Sequence, residues 1–236
     1  MAAKVHYVDV ADDASGAASI WHGLEMVSGT VPQFIDGKLQ EVPAISGRVD
    51  VDFGSTMGDW PVYYVGHPEP ITLPNYIKGV KKVVNMGNLW PADADLVNLF
   101  GPYRDLGLCG IDTLRVGTLE VSKLDFACAN IVDSFDNTLA ANTDEDGLEE
   151  AGSHLRIDVI GRTEGFHDRI SYAVSGTAKN LTGWSASFAA QALAAGTIDS
   201  KGLFPAEAVA NPDALLQYLG ERGVRVIETK TNTRTL

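Results

Sequence analysis

The sequence predicts an α+β domain built on a mixed, mostly antiparallel sheet with helices packed on one face. Three features carry that expectation. The first third alternates short β-favouring runs with turn letters, the apolar spacing turns helical after residue 92, and sustained strand–helix–strand alternation is missing.

The elements follow in order. Residues 4–10, 31–35, 39–42, 49–53 and 61–65 read as strands, and Asp36-Gly37 between two of them is the strongest hairpin signal in the chain. Residues 80–86 form a further strand that Gly87-Asn88 should close. Leu96, Leu99, Phe100 and Tyr103 recur at three- and four-residue steps and predict a helix stopped by Gly107. Ser122 caps a second helix expected to bury Phe126, Ile131, Phe135 and Leu139.

Residues 142–152 carry Asp144, Glu145, Asp146, Glu149 and Glu150, which suits a solvated connection and lacks the alternate spacing of a calcium loop. Residues 155–161 and 166–174 then pair as a long hairpin, with Leu155, Ile157 and Val159 on its apolar face. Thr182 is expected to cap a small-residue helix that Gly196 ends. Asn211-Pro212 opens the last helix, and a strand over 224–228 closes the chain.

Composition narrows the function. The chain has 236 residues, 45% of them apolar, enough to bury one sizeable core, so 1–236 is expected to be a single domain. A formal charge of −13 with 18 scattered basic residues repels phosphate backbones and anionic lipid, which argues against nucleic acid and membrane as partners. Cys109 and Cys128 have no neighbouring cysteine and read as small core residues in a reducing compartment, and the first ten residues lack an export pattern. A cytoplasmic protein is expected.

The common catalytic signatures are missing. The first strand is followed by Ala11-Asp12-Asp13-Ala14-Ser15-Gly16, one glycine and two carboxylates where a dinucleotide phosphate would need several backbone N–H groups. The five histidines show no metal-ligand spacing, so no metal site is expected, and no GxSxG elbow occurs. Two candidates remain. The proline-rich stretch Gly66-His67-Pro68-Glu69-Pro70-Ile71-Thr72-Leu73-Pro74 fixes a loop after a strand and can present His67 and Glu69 to a ligand, although prolines equally shape a plain surface turn. Thr182-Gly183-Trp184-Ser185 would offer helix N-terminal donors, although simple capping explains the same letters.

Six segments in sequence carry a family resemblance: Ser19-Ile20-Trp21-His22-Gly23-Leu24, Asp36-Gly37-Lys38 through Val42-Pro43-Ala44, the stretch from Gly66 to Pro74, Arg104-Asp105-Leu106-Gly107-Leu108, Thr182-Gly183-Trp184-Ser185-Ala186, and Lys201-Gly202-Leu203-Phe204-Pro205-Ala206-Glu207. Together they resemble the C-terminal part of the saccharopine dehydrogenase-like oxidoreductases.

The resemblance implies a substrate-binding and dimer-forming domain that follows an N-terminal Rossmann domain holding NAD or NADP. These residues have no counterpart of that Rossmann domain, so NAD or NADP is expected only with a separate Rossmann domain or subunit. By resemblance His67 is the acid or base, Glu69 and Thr72 contact a small-molecule substrate, and Thr182, Gly183 and Trp184 face the cofactor.

One departure stands out. Where many relatives carry an arginine before an aromatic and a proline, this chain has Leu89-Trp90-Pro91, so Arg162 or Arg169 of the neighbouring hairpin is the substitute grip for a substrate carboxylate. The expected function is the substrate half of an NAD(P)-dependent dehydrogenase acting on an amino acid or imine C–N bond, inactive alone. The alternative is a non-catalytic small-molecule-binding or dimerisation module. A homodimer is expected under both.

Overall fold

The computed structural model describes residues 1–10, 17–54, 58–90, 100–142, 153–163 and 166–234. It is an α+β fold with a mixed, mostly antiparallel sheet and, among the described residues, seven helices. None of those helices is long and apolar enough to cross a membrane.

The strands are β1 (Ala2–Val10), β2 (Thr30–Ile35), β3 (Lys38–Pro43), β4 (Val49–Asp52), β5 (Asp59–Tyr64), β6 (Lys82–Trp90), β7 (Thr113–Val116), β8 (Leu119–Ser122), β9 (Ser153–Thr163), β10 (Phe166–Gly176) and β11 (Val226–Arg234). Nine of them make one sheet in the order β11-β10-β9-β1-β6-β2-β3, with β5 also on the edge of β6 and β4 on β5; β7 and β8 form a separate ribbon. Only β1 and β6 run parallel among the described strands. The helices are α1 (Ala17–Met26), α2 (Glu69–Tyr76), α3 (Gly101–Asp105), α4 (Lys123–Asn142), α5 (Ala178–Ala194), α6 (Ala206–Val209) and α7 (Pro212–Gly220).

Local chemistry explains most of these elements. Asp36 and Gly37 both take left-handed φ, 54° and 78°, as a two-residue turn with the twist of the flanking strands requires, and the register Ile35↔Lys38 follows. Ser122 Oγ accepts the Asp125 N–H at the start of α4, Asn211 caps α7 with Pro212 behind it, and Gly196 leaves α5 at φ 71°.

Four expectations need correction. Strand β6 runs through Gly87-Asn88 to Trp90, because β1 pairs with it along its whole length and tertiary pairing outweighs the turn letters. The last strand starts two residues later than expected and runs on to Arg234. Phe126 is 39% exposed; the buried stripe of α4 is Leu124, Ala127, Cys128 and Ile131, whose i, i+3, i+4, i+7 spacing defines one helical face that Phe126 does not share. Helix α5 is capped by Thr177, whose hydroxyl accepts the Asn180 N–H, so Thr182 lies within the helix and does not cap it. The helix expected from residue 92 is described only from Phe100, and the acidic stretch 143–152 lies outside the described residues, as do the side chains of Phe135 and Leu139.

Strand β6 organises the core through side-chain alternation. On one face Val83 joins Ala3 and Val80 against Leu73 and Ile77 of the α2 segment. On the other, Val84 and Met86 pack under Val51, Phe53 and Val62 of the β4–β5 hairpin. The largest cluster joins Ile20, Leu24 and Val27 of the α1 segment to the buried stripe of α4, with Phe100 closing against Gly23 so tightly that a Cβ there would lie 2.7 Å from its ring. Cys109 and Cys128 are free and buried.

A buried amide completes the sheet. On the edge of β6 away from β1, β2 pairs at Phe34↔Val83 and β5 at Met86 and Gly87, leaving the Asn85 backbone between them. Gln33, fully buried, fills that gap: its Oε1 accepts the Asn85 N–H at 2.9 Å, and its Nε2 donates to the carbonyls of Val65 at 3.0 Å and Asn85 at 3.4 Å. Replacing Gln33 by Met keeps the volume and strands the Asn85 N–H and the Val65 carbonyl. Urea denaturation should show Gln33→Met destabilised by about 2 kcal/mol, against a change within about 0.5 kcal/mol for the exposed Gln40→Met.

Candidate functional site

The chain leaves β5 through Val65 and Gly66 and enters α2 at Glu69 after a single turn of loop. Gly66 is pinned there: its N–H donates to Met26 O at 2.8 Å, and a Cβ would sit 3.1 Å from a Val31 methyl. Pro68 occupies the cap position of α2 and Pro70 is buried in its first turn, where a missing N–H costs nothing. The backbone on both sides of His67 is therefore fixed by packing and by proline rings.

Within this frame His67 Nδ1 lies 2.7 Å from Glu69 Oε2, and Asn85 Nδ2 on β6 donates to the same oxygen at 2.8 Å. An ionised carboxylate only accepts, so the ring proton sits on Nδ1 and the basic nitrogen of neutral His67 is Nε2. Both side chains are about one-third exposed, at 30% and 31%, which leaves the pair shielded but reachable. Burial pushes the Glu69 carboxyl up. The hydrogen bond and charge of His67, its own backbone N–H and the Asn85 amide outweigh that and hold it below the ordinary carboxylate value.

Two further groups complete the site. Asn85 is 1% exposed, and its Oδ1 is buried with no hydrogen-bond partner, an acceptor left unmet beside the pair. His22 of α1 tilts its ring against His67 with centroids 5.8 Å apart. Asn85, Gln33 and His22 escaped the sequence reading because nothing local marks them; Asn85 meets Glu69 only across 16 residues and Gln33 across 52.

The other expected residues lie elsewhere. Thr72 shares α2 with Glu69, and its hydroxyl donates to Pro68 O at 3.2 Å. Thr182, Gly183 and Trp184 sit inside α5, which packs on α7 through the Phe188 and Tyr218 rings, whereas α2 packs on β2, β6 and α6. The structure does not gather them with His67. Arg162 is exposed near the end of β9, and Arg169 is engaged with Asp158 at 3.1 Å. Among the described residues no three His, Cys, Asp or Glu side chains cluster as a metal would require.

No protein-family model matches the chain, and no curated protein is significantly similar to it.

The Glu69 shift has a measurable sign. A carboxyl held below its unfolded value stabilises the fold above about pH 4.3 and loses that contribution as pH falls through the lower folded value. Glu69→Gln should therefore cost about 1 kcal/mol at pH 7, and urea titrations at descending pH should show the gap to wild type closing on acidification. A gap that widens in acid would contradict the pairing.

Proposed function

We propose that this chain is the substrate-binding part of an NAD(P)-dependent oxidoreductase acting on the C–N bond of an amino acid or imine, with His67 as its proton carrier. The observation that carries this reading is the preset His67–Glu69–Asn85 arrangement. A carboxylate that holds an imidazole by Nδ1 fixes its tautomer and turns Nε2 into a directed base. The six segments that resemble saccharopine dehydrogenase-like proteins support the substrate class.

The chain's own residues handle orientation and the proton. In the amine-to-imine direction the substrate nitrogen gives its proton to His67 Nε2, and in the reverse direction His67 returns it. Glu69 balances the imidazolium so formed. The unmet Oδ1 of Asn85 suits a substrate N–H donor. Hydride acceptance is the chemistry a nicotinamide supplies.

The α5 segment that the resemblance assigns to the cofactor does not suit a dinucleotide by itself. The free N–H groups of α5 belong to its first turn after Thr177, so Thr182, Gly183 and Trp184 offer no backbone cradle for a pyrophosphate. A separate Rossmann domain or subunit is the partner this reading calls for, together with a second copy of the chain.

Mixing the chain with a separately expressed Rossmann segment and following nicotinamide absorbance over a panel of amino and keto acids tests the proposal. Turnover should require both parts and fall about 10²- to 10⁴-fold in His67→Gln, with a smaller loss in Glu69→Gln. Calorimetry should detect no NAD(P) binding to the chain alone. Activity untouched by His67→Gln would refute the assignment, and micromolar NAD(P) binding by the lone chain would refute the divided cofactor site.

A further inference from the structure

A second polar site lies on the opposite face of β6. Asn85 points toward Glu69 on one side, while Lys82, Val84 and Met86 face the other. There the β4–β5 hairpin folds over the sheet and encloses a cavity of about 360 Å³. Its apolar wall comes from Val51, Val84 and Met86, and its charged floor from β1, β6, β9 and β10.

The floor holds four cations, Lys4, Lys82, Arg156 and Arg169, around one carboxylate, Asp158, whose side chain is only 2% exposed. That carboxylate is already saturated: it accepts Ser171 Oγ at 2.5 Å, Arg156 Nε at 3.1 Å and Arg169 Nη2 at 3.1 Å. Arg156 also donates to the Asp52 carbonyl. The three carboxylates of the hairpin, Asp50, Asp52 and Asp59, also line the cavity but are exposed, so water screens them; Asp50 pairs with Arg48 and Asp52 accepts the Gly54 N–H.

Lys4 and Lys82 are the exception in this network. Each is half-buried, and neither makes a hydrogen bond or ion pair among the described residues. Burial, and then the like charges of Lys82 and Arg169, push the Lys4 ammonium below its ordinary value, with Asp158 opposing. Unneutralised cations set this close on a low-dielectric floor repel one another, and a counter-charge between them would relieve that.

We propose that the cavity under the β4–β5 hairpin is a small-oxyanion site, with Lys4, Lys82 and Arg169 gripping a phosphate or an organic carboxylate. The volume admits a compact ligand. The hairpin carboxylates and the chain's charge of −13 turn away long polyanions such as nucleic acid. The site stands independently of the His67 reaction, since it shares no side chain with that pair and lies across the sheet from it.

Titration calorimetry with inorganic phosphate in one arm and succinate in the other, at constant ionic strength, tests this on the whole chain. At least one arm should give saturable one-to-one binding, and the arm that does so identifies the source of the oxyanion. Affinity should drop at least tenfold in Lys4→Gln/Lys82→Gln and stay within twofold in the exposed control Lys81→Gln. Lys82→Gln alone should also weaken binding severalfold, which keeps the test open if the double variant folds poorly. Two outcomes overturn the site: neither ion saturates, or binding is the same in wild type and in the Lys82 variant.

Discussion

The arrangement depends on one buried amide. Strand β6 meets two partners on the same edge, and the Asn85 N–H would be left unpaired where β2 stops and β5 begins. An unmet peptide group at that depth is costly. The Gln33 side chain mimics a short piece of strand there, accepting from one backbone N–H and donating to two carbonyls. Because the Val65 carbonyl is one of them, the same amide fixes where the chain leaves β5 and hence where His67 stands. Because Asn85 is the residue it anchors, it also aims the Asn85 side chain at Glu69.

Alternation along β6 then separates two kinds of chemistry within one strand. The face holding Val83 and Asn85 packs against α2 and presents an imidazole beside a carboxylate. The face holding Lys82, Val84 and Met86 looks into a cavity where cations outnumber the one buried acid. A sheet one residue thick keeps the two environments apart, so a carboxylate can be held ionised on each side by different means: an imidazole and an amide for Glu69, and two guanidinium groups with a hydroxyl for Asp158. Burial opposes both charges, and in both cases the local donors outweigh it.

What the sequence made legible follows the range of the interactions. Asp36-Gly37 and Asn211-Pro212 act on their own backbone, and both turned the chain where their letters said. Gly87-Asn88 also carry turn letters but lie between β1 and neighbours that pair with them, and the long-range ladder prevailed. Thr177 and Thr182 are alike as capping residues; only the end of β10 at Gly176 decides between them. The His67–Glu69 pair was readable because only Pro68 separates its members, whereas Gln33 and Asn85 reach it through the sheet. Asp158 falls between the apolar letters of β9, and it is the buried centre of an ion-pair network that only the neighbouring strand reveals.

The pair's rigidity has a cause within its own segment. Helix α2 is eight residues long and contains three prolines counting its cap, Pro68, Pro70 and Pro74, so its intrinsic tendency to form is poor. Two effects offset this. The prolines restrict the unfolded chain, so less entropy is lost on folding, and Leu73 and Ile77 pack against Val83 and Ala3 of the sheet. Glu69 in the first turn adds a favourable charge at the positive end of the helix. Gly66 lets the incoming loop press against Val31 and Met26, where a Cβ would force the Val31 methyl to give way. Helix, loop and sheet thus hold His67 and Glu69 at hydrogen-bonding distance without a ligand. The carboxylate fixes the tautomer and direction of the imidazole, so the geometry of the pair is set by folding itself.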